Sequence, residues 1–191
     1  MSIRRPFNFR QWIDEHRHLL RPPVGNQCVY NDDDFIVMVV GGPNSRKDYH
    51  WDEGEELFYQ LEGDLKVQIQ ENGKAVEVPI REGEMFLLPQ RVPHNPVRGA
   101  NTVGLVIERK RREGELDGLL WFCENCNEKL YEEYFQLGDI TTQFQGVFKR
   151  FYDDENLRTC KSCGAVMEPP PTPPVPARST SCGSRAKTEG G

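Results

Sequence analysis

Apolar residues first recur with a helical period. Phe9, Trp12, Ile13, His16, Leu19 and Leu20 are spaced by three and four up to Pro22-Pro23, and Asn8-Phe9-Arg10-Gln11 ahead of them reads as a capping box. A short N-terminal helix is expected there. From Phe35 to Ile107 the texture changes to brief β-rich runs, Phe35–Val40, Glu56–Leu61, Leu65–Gln70, Ala75–Ile80, Met85–Leu88 and Val103–Ile107, punctuated by Gly, Pro, Asn and Asp. Within Leu65–Ile80 apolar and polar residues alternate on both sides of Asn72-Gly73, the pattern of a hairpin with one buried face. Many short strands at close spacing must solve their edge problem by closure or double-sheet packing, so the expected fold is mainly β, a jelly-roll barrel.

After Gly118 the pattern shifts again. Phe144, Val147, Phe148 and Phe151 return to helical spacing, with Thr142-Gln143-Phe144-Gln145 as a candidate cap, inside a segment that carries two cysteine pairs. From Pro169 the chain is Pro-rich, then Ser- and Gly-rich, with too few apolar side chains to offset ordering entropy. The expected organisation is therefore a barrel with its N-terminal helix over 1–117, a small cysteine module packed on it over 118–168, and a disordered tail over 169–191.

Composition narrows the classes. The 191 residues carry a net charge of -6, against binding to nucleic-acid backbones, and no apolar run is long enough to span a bilayer. The basic N-terminus is not followed by an apolar stretch, so no secretory signal is read and the expected compartment is the cytoplasm. Arg109-Lys110-Arg111-Arg112 is read as a solvated strand end. Six cysteines in such a chain point to metal or redox chemistry before a disulfide framework.

Two stretches concentrate metal-ligand chemistry: His50-Trp51-Asp52-Glu53-Gly54-Glu55-Glu56 and Pro89-Gln90-Arg91-Val92-Pro93-His94. Two imidazoles and one carboxylate occupy one face of an octahedral metal and leave positions open, the signature of non-haem Fe(II) oxygenases. His50-x5-Glu56 with Gly63 beyond it, and Gly83-x5-Pro89 with His94 beyond it, resemble the two halves of the cupin pattern. That resemblance implies a barrel with His50, Glu56 and His94 as ligands. Asp52 stands where a second histidine is usual and is an alternative fourth ligand. Glu53 and Glu55 rival Glu56, which alone has the family spacing. Arg98 stands where Asn is usual.

Those two departures, together with Asn44–His50, Gly54–Asp64, Leu87–Pro89, Pro93–Arg98 and Leu105–Arg109, resemble the 3-hydroxyanthranilate 3,4-dioxygenase family. The resemblance implies an enzyme that opens the ring of 3-hydroxyanthranilate with O2, giving 2-amino-3-carboxymuconate semialdehyde, with Fe2+ as cofactor and a homodimer as the assembly. It implies that Arg98 grips the substrate carboxylate as a planar guanidinium does, that Arg46 lies on the substrate and O2 side, and that Glu108 hydrogen-bonds substrate and moves a proton. Glu56 would then face substrate as well as metal. Asn26 and Phe58 fall in family-like pocket positions and suit loop and core roles equally. A non-enzymatic cupin that senses a small aromatic acid is the alternative.

Cys123-x2-Cys126 and Cys160-x2-Cys163 are two knuckles whose four thiolates suit one tetrahedral Zn or Fe. No position would remain for substrate, so a structural role is expected. Disulfides are the competing reading. Cys28 is expected to pack and Cys182 to lie in the tail.

Overall fold

A computed structural model describes residues 4–22, 25–31, 34–138 and 140–170. Helix α1 (Phe9–His16) is capped as its sequence predicts, the Asn8 carboxamide oxygen accepting from the Gln11 amide at 3.0 Å. The reciprocal half of the box is absent, because the Gln11 side chain turns instead to Glu15. Eleven strands follow: β1 (Asn26–Tyr30), β2 (Phe35–Gly41), β3 (Tyr49–Asp52), β4 (Glu56–Glu62), β5 (Leu65–Glu71), β6 (Lys74–Ile80), β7 (Met85–Leu88), β8 (His94–Arg98), β9 (Val103–Arg109), β10 (Asp117–Phe122) and β11 (Lys129–Phe135). Helices α2 (Ile140–Asp153) and α3 (Glu155–Arg158) close the described chain.

The strands pair antiparallel in two sheets, β1-β2-β9-β4-β7 and β11-β10-β3-β8-β5-β6. All six strands expected from the β-rich runs are present. The Asn72-Gly73 turn puts both central residues at positive φ, 50° and 74°, the geometry whose twist matches flanking strands. Strands β1, β3, β8, β10 and β11 were not separately anticipated. The expected cap at Thr142 lies inside α2, which begins at Ile140.

Because side chains alternate across a pleated strand, register dictates what fills the barrel. Glu56, Phe58 and Gln60 of β4 face Glu108, Val106 and Gly104 of β9. Ile69, Val67 and Leu65 of β5 face His94, Pro96 and Arg98 of β8. An apolar layer containing Phe58, Val67 and Val106, each 3% exposed or less, therefore lies between a His/Glu-bearing level and one bearing Gln60 and Arg98. Leu65, Ile69, Ile80 and Leu88 complete this cluster.

The opposite side of the β2–β9 ladder is covered by α1 and the turn after it, where Ile13, Leu20, Val39 and Val103 pack together. Arg17 ties this layer down with two 2.7 Å contacts to the Glu62 carboxylate. At the other flank β10 bridges two neighbours, pairing with β3 on one edge and β11 on the other. There Leu119, Trp121, Phe144, Val147, Phe148, Phe151 and Met167 form a separate aromatic cluster.

Candidate active site

The interior concentrates buried polar groups that are individually costly to desolvate, the kind of burial that carries information. His50 and His94 are direct cross-strand partners in β3 and β8, with ring centroids 5.4 Å apart. Glu56 and Glu108 are direct cross-strand partners in β4 and β9, on the facing sheet. Two imidazoles and two carboxylates thus meet between the sheets.

His94 Nε2 and Glu56 Oε2 are 2.9 Å apart, and one donor atom each from His50, Glu56 and His94 lies within 4.8 Å of the others. A cis edge of an octahedron with bonds of about 2.1 Å is about 3.0 Å, so this set could hold a six-coordinate cation. Of the acidic rivals, Glu53 is drawn off to Arg91 and the Leu116 amide, and Glu55 is exposed. Asp52 Oδ1 accepts from the Gly54 amide at 2.6 Å, and its other oxygen lies 3.3 Å from Arg111.

Charge in this enclosure is organised by proximity. Burial opposes ionisation of Glu56, but the facing His94 imidazole outweighs it and the carboxyl is held below its ordinary range. Burial likewise opposes a charged His94, and Glu56 overrides it, raising that imidazole. Glu108 behaves differently. Burial, with help from Glu56 and Asp52 and against the pull of Arg111, pushes its carboxyl up to about 6. A carboxyl so placed exchanges protons near neutrality.

Sequence reasoning did not single out two members of this network. Asp117, fully buried at the start of β10, lies 2.8 Å from His50 Nε2, the contact by which a carboxylate orients an imidazole ligand. Arg111, read from its basic run as solvated, is only 16% exposed and reaches Asp117 at 2.7 Å, Glu108 at 3.0 Å and Asp52 at 3.3 Å. The available signal was Arg111 itself three residues after Glu108, obscured by the three cations beside it. The correction has a plain cause: three acids, Asp52, Glu108 and Asp117, converge where β9 ends, and a cation is drawn in among them.

Arg98 occupies the other end of the interior. It is 3% exposed, its Nη1 donates to Gln60 Oε1 at 3.2 Å, and among the described residues no carboxylate pairs with it. Burial lowers its affinity for a proton to about 10, with only Glu56 acting the other way. Gly104 makes room for it, since a Cβ there would lie 2.6 Å from Arg98 Nη1. Arg46 feels the charge of Glu56, is bonded through Nε to Asp48 at 3.0 Å, and faces the Phe144 and Phe148 rings of α2. Phe58 borders His94 at 6.3 Å between ring centroids, whereas Asn26 pairs with Val40 in β1. His16 stacks on Trp12 at 4.1 Å on α1, away from this set.

The four cysteines of the knuckles converge. Cys123 and Cys163 Sγ are 3.6 Å apart and Cys126 and Cys160 Sγ 3.5 Å, close to the edge of about 3.8 Å in a tetrahedron of about 2.3 Å metal–sulfur bonds. All four are free thiols, against the disulfide reading, and the donor set fits Zn or Fe. Cys28 lies half-buried in β1, and Cys182, with the tail beyond Pro170, falls outside the described residues.

Two antiparallel sheets closed around two imidazoles and a carboxylate define a cupin barrel with a metal-ligand set. Residues 1–152 match the family described as 3-hydroxyanthranilic acid dioxygenase. A 3-hydroxyanthranilate 3,4-dioxygenase of Xanthomonas euvesicatoria is 56% identical over 165 residues, covering 86% of this chain and 93% of its own. One from Neurospora crassa is 48% identical over 168 residues, covering 88% and 93%. The chain belongs to the 3-hydroxyanthranilic acid dioxygenase family. Among solved structures, an RmlC-like cupin from Shewanella frigidimarina aligns with 46% of this chain and 77% of its own at 16% identity and a TM-score of 0.38. Among the described residues no helix is long and apolar enough to cross a membrane.

Proposed function

We propose that the barrel interior opens the ring of 3-hydroxyanthranilate with O2, inserting both oxygen atoms to give 2-amino-3-carboxymuconate semialdehyde, with Fe2+ held by His50, Glu56 and His94. The observation that carries this reading is Arg98. A buried guanidinium without a carboxylate partner is costly, and an anionic ligand that enters the barrel relieves that cost. A planar aromatic carboxylate presents two oxygens to it in the geometry a guanidinium prefers.

The iron, when bound, supplies a centre at which O2 and a chelating substrate meet. The remaining work falls to side chains. Arg98 fixes the carboxylate end of the substrate and so orients the hydroxyl and amine toward the His/Glu level. Glu108, its carboxyl raised to about 6 and so mostly ionised at neutrality, accepts a proton from the substrate hydroxyl and returns it later. Asp117 holds the His50 ring in one orientation, and Arg46 adds a second cation near Glu56. The thiolate set is proposed to hold Zn or Fe in a structural role. A cytoplasmic homodimer is proposed as the working form; the exposed Phe35, Met85 and Leu87, between 54% and 62% accessible, support an assembly that covers apolar surface.

The test is anaerobic loading with Fe2+, addition of 3-hydroxyanthranilate, then air, with O2 uptake and semialdehyde absorbance followed against His94→Ala. Stoichiometric uptake abolished by the substitution is the expected result. Iron and ligand binding without uptake would instead make the protein a sensing cupin. Arg98→Ala is expected to raise KM at least tenfold with iron content intact, on the scale of a lost buried charge-assisted pair; an unchanged KM removes Arg98 from the pocket.

A further inference from the structure

The thiolate module touches the barrel's site through two rings. Phe144 and Phe148 lie four residues apart on α2, hence on one helix face, and are 5% and 6% exposed. The Phe144 ring centroid is 5.8 Å from that of the His50 imidazole. The Arg46 guanidinium carbon stands 5.7 Å from the Phe144 ring centroid and 5.6 Å from that of Phe148, within reach of a cation–π attraction. Arg46 also bonds to Asp48, which is 1% exposed and leads into β3, the strand that carries His50. One aromatic pair thus braces two groups of the barrel from outside it.

The pair is carried on a helix whose C-terminal end lies beside the cysteine cluster, with Phe148 against Trp121 at 6.1 Å between centroids. Trp121 stacks on Phe151 of α2 at 4.3 Å between centroids, and two residues after Trp121 the chain reaches Cys123. Beyond that same C-terminal end of α2, α3 leads to Cys160, whose amide and that of Gly164 close a turn on Ala165 and Cys160. In sequence the helix lies between the two knuckles, and their convergence anchors its C-terminal end, from which Phe148 and Phe144 follow along one face.

We propose that Phe144 is a positioning residue of the barrel's site, seated by the thiolate cluster. It braces the His50 ring and, with Phe148, holds the Arg46 guanidinium, so that opening the cluster loosens the grip on an anionic aromatic ligand. The inference rests on the barrel binding 3-hydroxyanthranilate.

Two readouts test it on the full chain: anaerobic affinity of the iron-loaded protein for 3-hydroxyanthranilate, and the imidazole 15N signals of His50 in the metal-free barrel. Phe144→Ala and Cys163→Ser are each expected to weaken affinity about tenfold, with Phe144→Leu between them and wild type, as loss of an aromatic contact and a cation–π pair would give. The His50 signals should shift in the same order. Unchanged affinity in a folded Phe144→Ala protein overturns the proposal. Should that variant not fold, Phe144→Leu and Cys163→Ser decide it by the same measurements, unchanged values in both overturning it. If wild type does not bind the acid, the ring-cleavage reading fails. The His50 signals then decide alone, and signals unmoved by Phe144→Leu overturn the inference.

Discussion

Arg111 balances the charge of the interior, and its own environment shows how. Burial works against its charge, yet Glu108, Asp117 and Asp52 outweigh that and hold the guanidinium well above its ordinary range. Replacing it by Met leaves three carboxylates facing one another in a desolvated space. Arg111→Met should therefore cost about 3–5 kcal/mol in chemical denaturation, with Arg111→Lys recovering part of it; a loss within experimental error would mean that water already screens the acids. A neighbouring pair gives a pH prediction. Glu115 accepts from Arg109 at 2.6 and 2.7 Å and from the Arg112 amide, and the Arg109 bond draws its carboxyl down to about 2. A carboxyl depressed on folding stabilises fully above its unfolded value near 4.5 and ceases to do so as pH falls to about 2. Glu115→Gln should then cost about 1 kcal/mol at pH 7, after solvent screening, and almost nothing at pH 2. Equal costs at both pH values would sink the assignment. The three ligand candidates were legible at this scale because their spacing follows where three strands, β3, β4 and β8, enter the barrel. Arg111 was not, because a cation in a basic run looks solvated until the acids around it are placed.

At the scale of elements, legibility followed the alternation of apolar residues. β5 and β6 announce themselves because one face is buried and the other is wet, and the turn between them needs two positive φ angles. Gly73 has open space around its missing Cβ, so only backbone conformation opposes a side chain there. Gly73→Ala should lower stability by about 1 kcal/mol without altering metal binding, measured by urea titration beside metal uptake; an unchanged midpoint would mean that the turn re-forms another way. β3 and β8 escaped notice for the opposite reason. Their inward positions are His50, Asp52, His94 and Arg98, polar residues that break any hydrophobic period. Strands that build a buried polar site read as loops, and here the missed strands are the ones that carry the two imidazoles. β10 was missed from the other side, since Asp117–Trp121 is buried throughout and shows no alternation at all.

For the whole molecule the decisive strand is β10, which hydrogen-bonds to β3 of the barrel and to β11, next to the cysteine knuckles. A ladder shared by both halves makes it costly for either to unfold alone. Unfolding the cysteine module would strip β10 of Trp121–Phe151 packing and leave the buried Leu119 and Asp117 facing water beside His50. Loss of one thiolate is thus felt by the entire chain. Cys160, 2% exposed, is the most informative position, because its replacement by Ser weakens the cluster without adding bulk. Calorimetry of Cys160→Ser should give one transition, displaced downward by about 10 °C for a loss of about 3 kcal/mol, with barrel and module signals moving together. Intrinsic Trp fluorescence, dominated near the module by Trp121, and the far-ultraviolet strand signal should have coincident midpoints. Two separated transitions would show that the β10 ladder does not couple the halves, and would also remove the route by which the cysteine cluster reaches the site.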